Sequence, residues 1–191
     1  MSLNMVSPIR DIKQLELLKM YLREKSKRDN LMFMVGISSA LRISDILKLK
    51  VKDIWDGKMP KDFIYLHEEK TGKYKRFPIT DNLEKAIIDY MKEYNPKQES
   101  YLFFSRNGNG NKPISRQQAA YILSSAADFV GIKEPISTHS MRKTWGYWAY
   151  KRGHSLALIM EALNHSSIGM TKKYLGITQE DLDGVYREMN L

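Results

Sequence analysis

The chain has 191 residues, with 31 Lys and Arg against 22 Asp and Glu, a net charge of +9, and no cysteine. At that length, with 42% hydrophobic and 10% aromatic residues, one well-filled domain is expected and wholesale disorder is excluded. The absence of cysteine excludes a disulfide framework, a thiolate metal site and a cysteine nucleophile. No run approaches the roughly 18 apolar residues of a membrane span and the start lacks a secretory apolar stretch, so the expectation is a cytoplasmic protein with no membrane association. The excess positive charge fits a polyanionic partner, and equally a solvated basic surface.

In chain order, Ile12, Leu15, Leu17, Leu18, Tyr21 and Leu22 recur at three- and four-residue spacing and predict one amphipathic helix over residues 11–28. A second apolar segment covers residues 31–41, after which Ser44 and Asp45 introduce a short helix starting near Ile43, with Arg42 at the junction. Residues 51–55, 62–66 and 74–79 are short runs with β-branched or aromatic residues and read as strands. The latter two, joined through Lys70, Thr71, Gly72 and Lys73, read as a hairpin. Thr80 or Asp81 caps a helix through Tyr94 that Pro96 stops, residues 107–111 form a flexible loop, and Ser115 caps a helix over residues 116–130.

Pro135 and Ser137-Thr138 precede a long helical segment that ends at Arg152-Gly153, where glycine suits a left-handed cap. Short helices follow over residues 155–162, 167–174 and 179–189. The expected fold is mainly α with a small antiparallel β-sheet (α+β). Residues 8–191 are read as one domain and residues 1–7 as a short N-terminal extension, with no internal repeat and no linker that would separate two domains.

Two pairs of residues carry candidate chemistry. His139 and Arg142 lie three apart at a helix start, so they share a face about 4.5 Å apart along the axis. With Thr138 as the cap, free N–H groups and the positive end of the helix dipole lie beside them, which favours a phosphate. The structural alternative makes His139 a capping residue and Arg142 a solvated charge. His165 and Tyr174 would occupy opposite faces of one continuous helix, so their convergence requires a break, which Ser166 or Ser167 can supply by capping a new helix. Tyr174 alone, one of eleven tyrosines, reads as core or surface as readily as nucleophile.

The order of short segments is more specific. Ala40-Leu41-Arg42-Ile43-Ser44-Asp45, Glu69-Lys70-Thr71-Gly72-Lys73, Thr138-His139-Ser140-Met141-Arg142, Leu163-Asn164-His165-Ser166-Ser167 and Thr171-Lys172-Lys173-Tyr174 follow one another along the chain. Together they resemble the motifs of the tyrosine recombinase (phage integrase) catalytic domain, over nearly the whole chain. The resemblance implies a site-specific DNA recombinase or integrase that cuts and rejoins strands through a 3′-phosphotyrosyl link. It implies the tyrosine recombinase catalytic-domain fold, with Arg42, Lys70, His139, Arg142, His165 and Tyr174 as catalytic residues, no cofactor and no metal. Double-stranded DNA is the implied substrate, a homotetramer the implied assembly, and an accessory DNA-binding protein a further expected partner.

These residue types suit that chemistry. Two guanidinium forks, Arg42 and Arg142, can hold non-bridging phosphate oxygens at any physiological pH. A phenol with an ordinary pKa near 10 must lose its proton during attack, and His139 is placed to accept it. On the resemblance, Lys70 protonates the departing 5′-oxygen, His165 donates to a phosphate oxygen, and Asp45 holds the Arg42 guanidinium. Lys73, Lys75 and Arg76 are expected on the DNA backbone, Lys143, Lys172 and Lys173 add charge beside the site, and Arg116, Gln117 and Gln118 are candidates for base readout. Ala40 and Asn164 stand where the family usually has glycine; alanine is small and asparagine tolerates left-handed geometry. Alternative readings are a topoisomerase IB-like enzyme that nicks and reseals one duplex, and an inactive DNA-binding regulator. A metal enzyme is disfavoured because His67, His139, His154 and His165 lack ligand spacing.

Overall fold

The computed structural model describes residues 6–106 and 110–189. The chain runs α1 (Ile12–Lys25), α2 (Lys27–Ser39), α3 (Ile43–Ile46), α4 (Val51–Ile54), β1 (Phe63–His67), β2 (Tyr74–Pro78), α5 (Asp81–Tyr94), α6 (Arg116–Phe129), α7 (Thr138–Lys151), α8 (Leu156–Ala162), α9 (Ile168–Leu175) and α10 (Gln179–Glu188). This is the mainly helical fold with a small antiparallel sheet that the sequence predicts. Most of the expected loop at residues 107–111 lies outside the described residues. Among the described residues no helix is long and apolar enough to cross a membrane.

The core forms around α2, whose Leu31, Met32, Phe33 and Val35 are buried on every side because α1, α5 and α7 all pack against it. Residues 11–28 do not form one helix. Ser26 takes extended backbone angles, ends α1 and caps α2 by accepting from Asp29 N at 3.2 Å, so a hydroxyl able to cap a new helix overrides a continuous apolar pattern. The expected strand over residues 51–55 is instead the one-turn helix α4, started by the Asp53 carboxylate accepting from Lys50 N at 2.7 Å.

The hairpin forms close to its expected bounds. β1 and β2 pair antiparallel from Phe63 opposite Pro78 to His67 opposite Tyr74. Period-two alternation turns the buried Ile64 and Phe77 into the core, with Leu66 and Lys75 on the same face, and leaves Tyr65, Tyr74 and Arg76 in solvent. The turn closes through Glu68 N to Lys73 O at 3.0 Å, with Gly72 at φ +65° where a side chain would be strained.

α7 lies against α2 so closely that a Cβ on Gly36 would run into the Met141 side chain. The stretch before α1 crosses the other side of α7: Ile9 N donates to Thr144 Oγ1 at 2.9 Å and Trp148 Nε1 donates to Ile9 O at 3.1 Å. A second, smaller core of Ala40, Ile159 and Leu163, with Trp145, Ala149, Tyr150, Tyr174 and Leu175 packed against it, joins α7, α8 and α9. Each fully buried aliphatic side chain there contributes about 1.5–3 kcal/mol. That cluster fixes where the last two motifs meet the first.

Candidate active site

Arg142, on the second turn of α7 and 2% exposed, is anchored by carbonyls from two distant segments. Its Nη1 donates to Ala40 O and its Nη2 to Leu163 O. The first contact depends on Ala40, whose left-handed angles (φ 55°, ψ 20°) end α2 and turn the chain toward α3. Ala40 therefore performs a turn for which glycine is the usual residue.

Arg42 precedes α3 in extended conformation, and its Nη1 donates to Glu68 Oε2 at 3.0 Å. The carboxylate beside Arg42 is thus Glu68, and Asp45 does not take the role expected of it. Asp45 lies inside the helix while Arg42 leaves the chain before it begins, and the Asp45 Oδ1 atom accepts from Glu69 N at 2.9 Å.

Ser137, not Thr138, occupies the cap of α7, its N–H donating to Ser140 Oγ at 3.1 Å, so His139 sits in the first turn at the positive end of the helix. Its ring meets Tyr174 edge-on with centroids 5.5 Å apart. His165 meets the same phenol from another side at 4.9 Å. The break needed for this convergence lies between α8 and α9: Asn164 takes φ 50°, and Ser167 caps α9 by accepting from Met170 N at 3.1 Å. His165 Nδ1 lies 3.1 Å from Thr171 Oγ1, which orients the ring. Gly146 of α7 lets α9 approach, since a Cβ there would sit 2.9 Å from Leu175 Cδ2.

Five expected catalytic residues, Arg42, His139, Arg142, His165 and Tyr174, thus gather from four separate segments of chain. Lys70, the sixth, is exposed on the hairpin turn. An open cavity of about 920 Å³, lined by Glu68, Lys73, Lys75, Trp145, Asn164 and His165 among others, runs from the hairpin to this cluster. Among the described residues no group of three or more His, Cys, Asp or Glu side chains is arranged to hold a metal ion.

The electrostatics of the cluster follow from burial first and neighbouring cations second. Burial pushes the Tyr174 phenol up to about 12 against the pull of Arg142 and Arg42. Desolvation, then Arg142 and Arg42, pushes His165 down to about 4. Partial desolvation followed by the charges of Arg142, Lys143 and Arg42 also lowers His139. Both imidazoles are therefore neutral near pH 7: one ring nitrogen can accept a proton and the other carries one to donate.

The expected DNA contacts divide. Lys73 and Arg76 are exposed on the hairpin, with the Arg76 guanidinium 4.7 Å over the Phe63 ring. Lys75 is not a free surface contact: it shares the inward face of β2, donates to Ala162 O at 2.7 Å, and is lowered to about 8 by burial and then by Arg142. Arg116, Gln117 and Gln118 are exposed on the first turn of α6, with Arg116 3.9 Å from Glu69 of the hairpin turn. Lys172 and Lys173 are exposed on α9, and Lys143 Nζ lies 5.7 Å above the Tyr174 ring while donating to Val6 O at 2.9 Å. The sequence reading missed Glu68, the amide of Asn164 and the carbonyls that seat Arg142. Only the motif position of Asn164 gave a signal.

A helical fold in which two arginines and two histidines gather on one tyrosine, its hydroxyl buried, is the arrangement of the tyrosine recombinases. The phage integrase family matches residues 11–180, and the chain belongs to it. It is 41% identical over 185 residues to the probable integrase/recombinase YoeC of Bacillus subtilis (strain 168), covering 97% of each chain. It is 27% identical to tyrosine recombinase XerA of Pyrococcus furiosus over 86% of this chain, but spans 55% of that protein's length. Among solved structures, a XerA recombinase superimposes with a TM-score of 0.76 at 16% identity, covering 97% of this chain and 64% of the other. A lambda integrase (75-356) dimer bound to a COC′ core site gives a TM-score of 0.68 at 15% identity, covering 88% and 59%. These two likenesses establish the fold.

Proposed function

We propose that this chain is a site-specific DNA recombinase whose Tyr174 attacks a backbone phosphate and forms a 3′-phosphotyrosyl link. The observation that carries the reading is the convergence of Arg42, His139, Arg142 and His165 on one phenol whose hydroxyl is buried. In the first half-reaction the Tyr174 oxygen bonds to phosphorus, the bond to the 5′-oxygen breaks, and the phenolic proton passes to neutral His139. The 5′-oxygen leaves as a hydroxyl after taking a proton from Lys70, which the exposed turn can bring over the phosphate. The phosphodiester is exchanged rather than hydrolysed, so a 5′-hydroxyl of another strand reverses the step. Arg42 and Arg142 supply the positive charge that stabilises the five-coordinate phosphorus, and His165 donates to a phosphate oxygen from Nε2 in the tautomer whose Nδ1 accepts from Thr171.

Exchange between two duplexes needs four such subunits, and α10 supports a homotetramer. It has no buried residue, exposes Leu182, Val185 and Tyr186, and carries Glu180, Asp181, Asp183 and Glu188. A groove of about 580 Å³ between α1, α2, α7 and α8 presents Trp145, Trp148 and Leu158 with Lys19, Arg152 and His154 at its rim. Its charge and apolar floor complement α10 of a second copy. As a protein acting on genomic DNA it belongs in the cytoplasm.

A duplex oligonucleotide nicked next to the cleavage point, so that the released fragment diffuses away, should accumulate a covalent protein–DNA adduct. Tyr174→Phe should abolish the adduct while binding persists, and Arg42→Ala or Arg142→Ala should slow its formation by about a hundredfold. An adduct undiminished in Tyr174→Phe removes Tyr174 from its role.

A further inference from the structure

Glu68 is a carboxylate placed where a phosphate clamp has least use for one. It lies in the hairpin turn, is 1% exposed, and sits against Arg42. Its Oε2 accepts three hydrogen bonds, from Arg42 Nη1 at 3.0 Å, Thr71 Oγ1 at 2.9 Å and Asn164 Nδ2 at 2.6 Å. The second hydrogen of the Asn164 amide bonds Thr71 Oγ1 at 2.9 Å, closing the ring of contacts. Burial alone would raise the pKa of this carboxylate, but the bonds from Asn164 and Thr71 and the Arg42 charge bring it below the ordinary glutamate value, so it is an anion.

A buried ion pair is weak support for a fold, since desolvation consumes most of its attraction. What this one does is geometric. A guanidinium has five N–H donors in a plane; holding one of them on Glu68 leaves the others to be aimed and removes rotamers that Arg42 would otherwise sample. The same carboxylate ties together the turn that carries Lys70, the junction that carries Arg42 and the bend that carries His165. Asn164 is suited to the third tie: at φ 50° glycine would fit the backbone equally well but would offer no amide.

We propose that Glu68 and Asn164 are a positioning pair, in which the amide of Asn164 fixes the Glu68 carboxylate and the carboxylate fixes the Arg42 fork against the scissile phosphate. The proposal rests on the reading that Arg42 holds that phosphate. Asn164→Gly removes the amide without straining the backbone, and Glu68→Ala removes the carboxylate. Single-turnover cleavage of the nicked duplex should slow about tenfold or more in each, since small misplacements of a phosphate ligand are costly, while the DNA dissociation constant stays within about twofold. In an Arg42→Ala background, adding Asn164→Gly should slow cleavage much less than it does in the parent, because its main effect passes through the Arg42 fork.

A full additional loss in that background would make the pair a general structural element and overturn the proposal. Faster cleavage in Glu68→Ala would make the carboxylate a competitor of the phosphate and overturn it equally. If Glu68→Ala does not fold, Asn164→Gly alone decides the matter. Should Arg42→Ala itself leave cleavage unchanged, the assignment of Arg42 falls; should it slow cleavage while Asn164→Gly does not, only the positioning pair falls.

Discussion

Tyr174 and His165 are driven toward neutrality from opposite directions by the same desolvation. The phenol is held up near 12 and the imidazole down near 4, so neither charge is present near neutral pH. On the proposed mechanism, an arriving phosphate would raise the basicity of His139 beside it and favour the proton transfer that attack requires. The His165 shift also has a consequence for folding. With an unfolded value near 6.5 and a folded value near 4, the unfolded chain binds more protons in between. The stability that goes with a neutral His165 is complete above pH 6.5 and is lost as pH falls toward 4. Denaturant midpoints should therefore drop between pH 6.5 and 5 in the parent and drop less steeply in His165→Gln. Equal slopes in the two proteins would contradict the depressed pKa of this half-buried imidazole. The tyrosine, arginines and histidines of the site were legible in the sequence because each lies in a short ordered motif. Glu68 was not, since its partner Asn164 lies 96 positions away and no local pattern distinguishes it from other charges on a turn. Asp45 misled because nearness in sequence to Arg42 is not nearness of side chains when one residue precedes the helix and the other lies within it.

Among the elements, α7 carries the most of the site and has the least room to move. His139 and Arg142 project from its first turns while Met141, between them, packs over Gly36 of α2. Gly36→Ala forces that side chain aside, and overpacking of this kind costs about 1–3 kcal/mol. The expected result is a lowered denaturant midpoint together with slower adduct formation, because α7 shifts outward with His139 and Arg142, the two side chains proposed to act in cleavage. Unchanged stability and cleavage would mean that α7 is not fixed by this contact. Most elements were legible from caps and periodicity, as with Ser115 before α6 and Thr80 before α5. The errors came where a capping side chain outvoted the apolar pattern: Ser26 split a helix that the pattern joined, and Asp53 made a helical turn of a stretch whose β-branched residues pointed to a strand.

For the whole molecule, the net charge of +9 is the coarsest clue. Removal of α10 after Thr178 should leave the fold intact, as none of its residues is buried, and should reduce recombination between two sites far more than cleavage of a single nicked site. Equal losses in both assays would argue against its docking on a second copy. The fold class could be read in advance because the ordered motifs span nearly the whole chain. The docking place of α10 could not, because an exposed amphipathic helix looks the same in sequence whether it covers its own subunit or a neighbour.

The most direct test of the central claim is peptide mapping of the covalent adduct. Trypsin cuts after Lys173, so digestion followed by nuclease trimming and tandem mass spectrometry should place the nucleotide on Tyr174, the first residue of its peptide. A nucleotide found on any other tyrosine, serine or histidine would contradict the account.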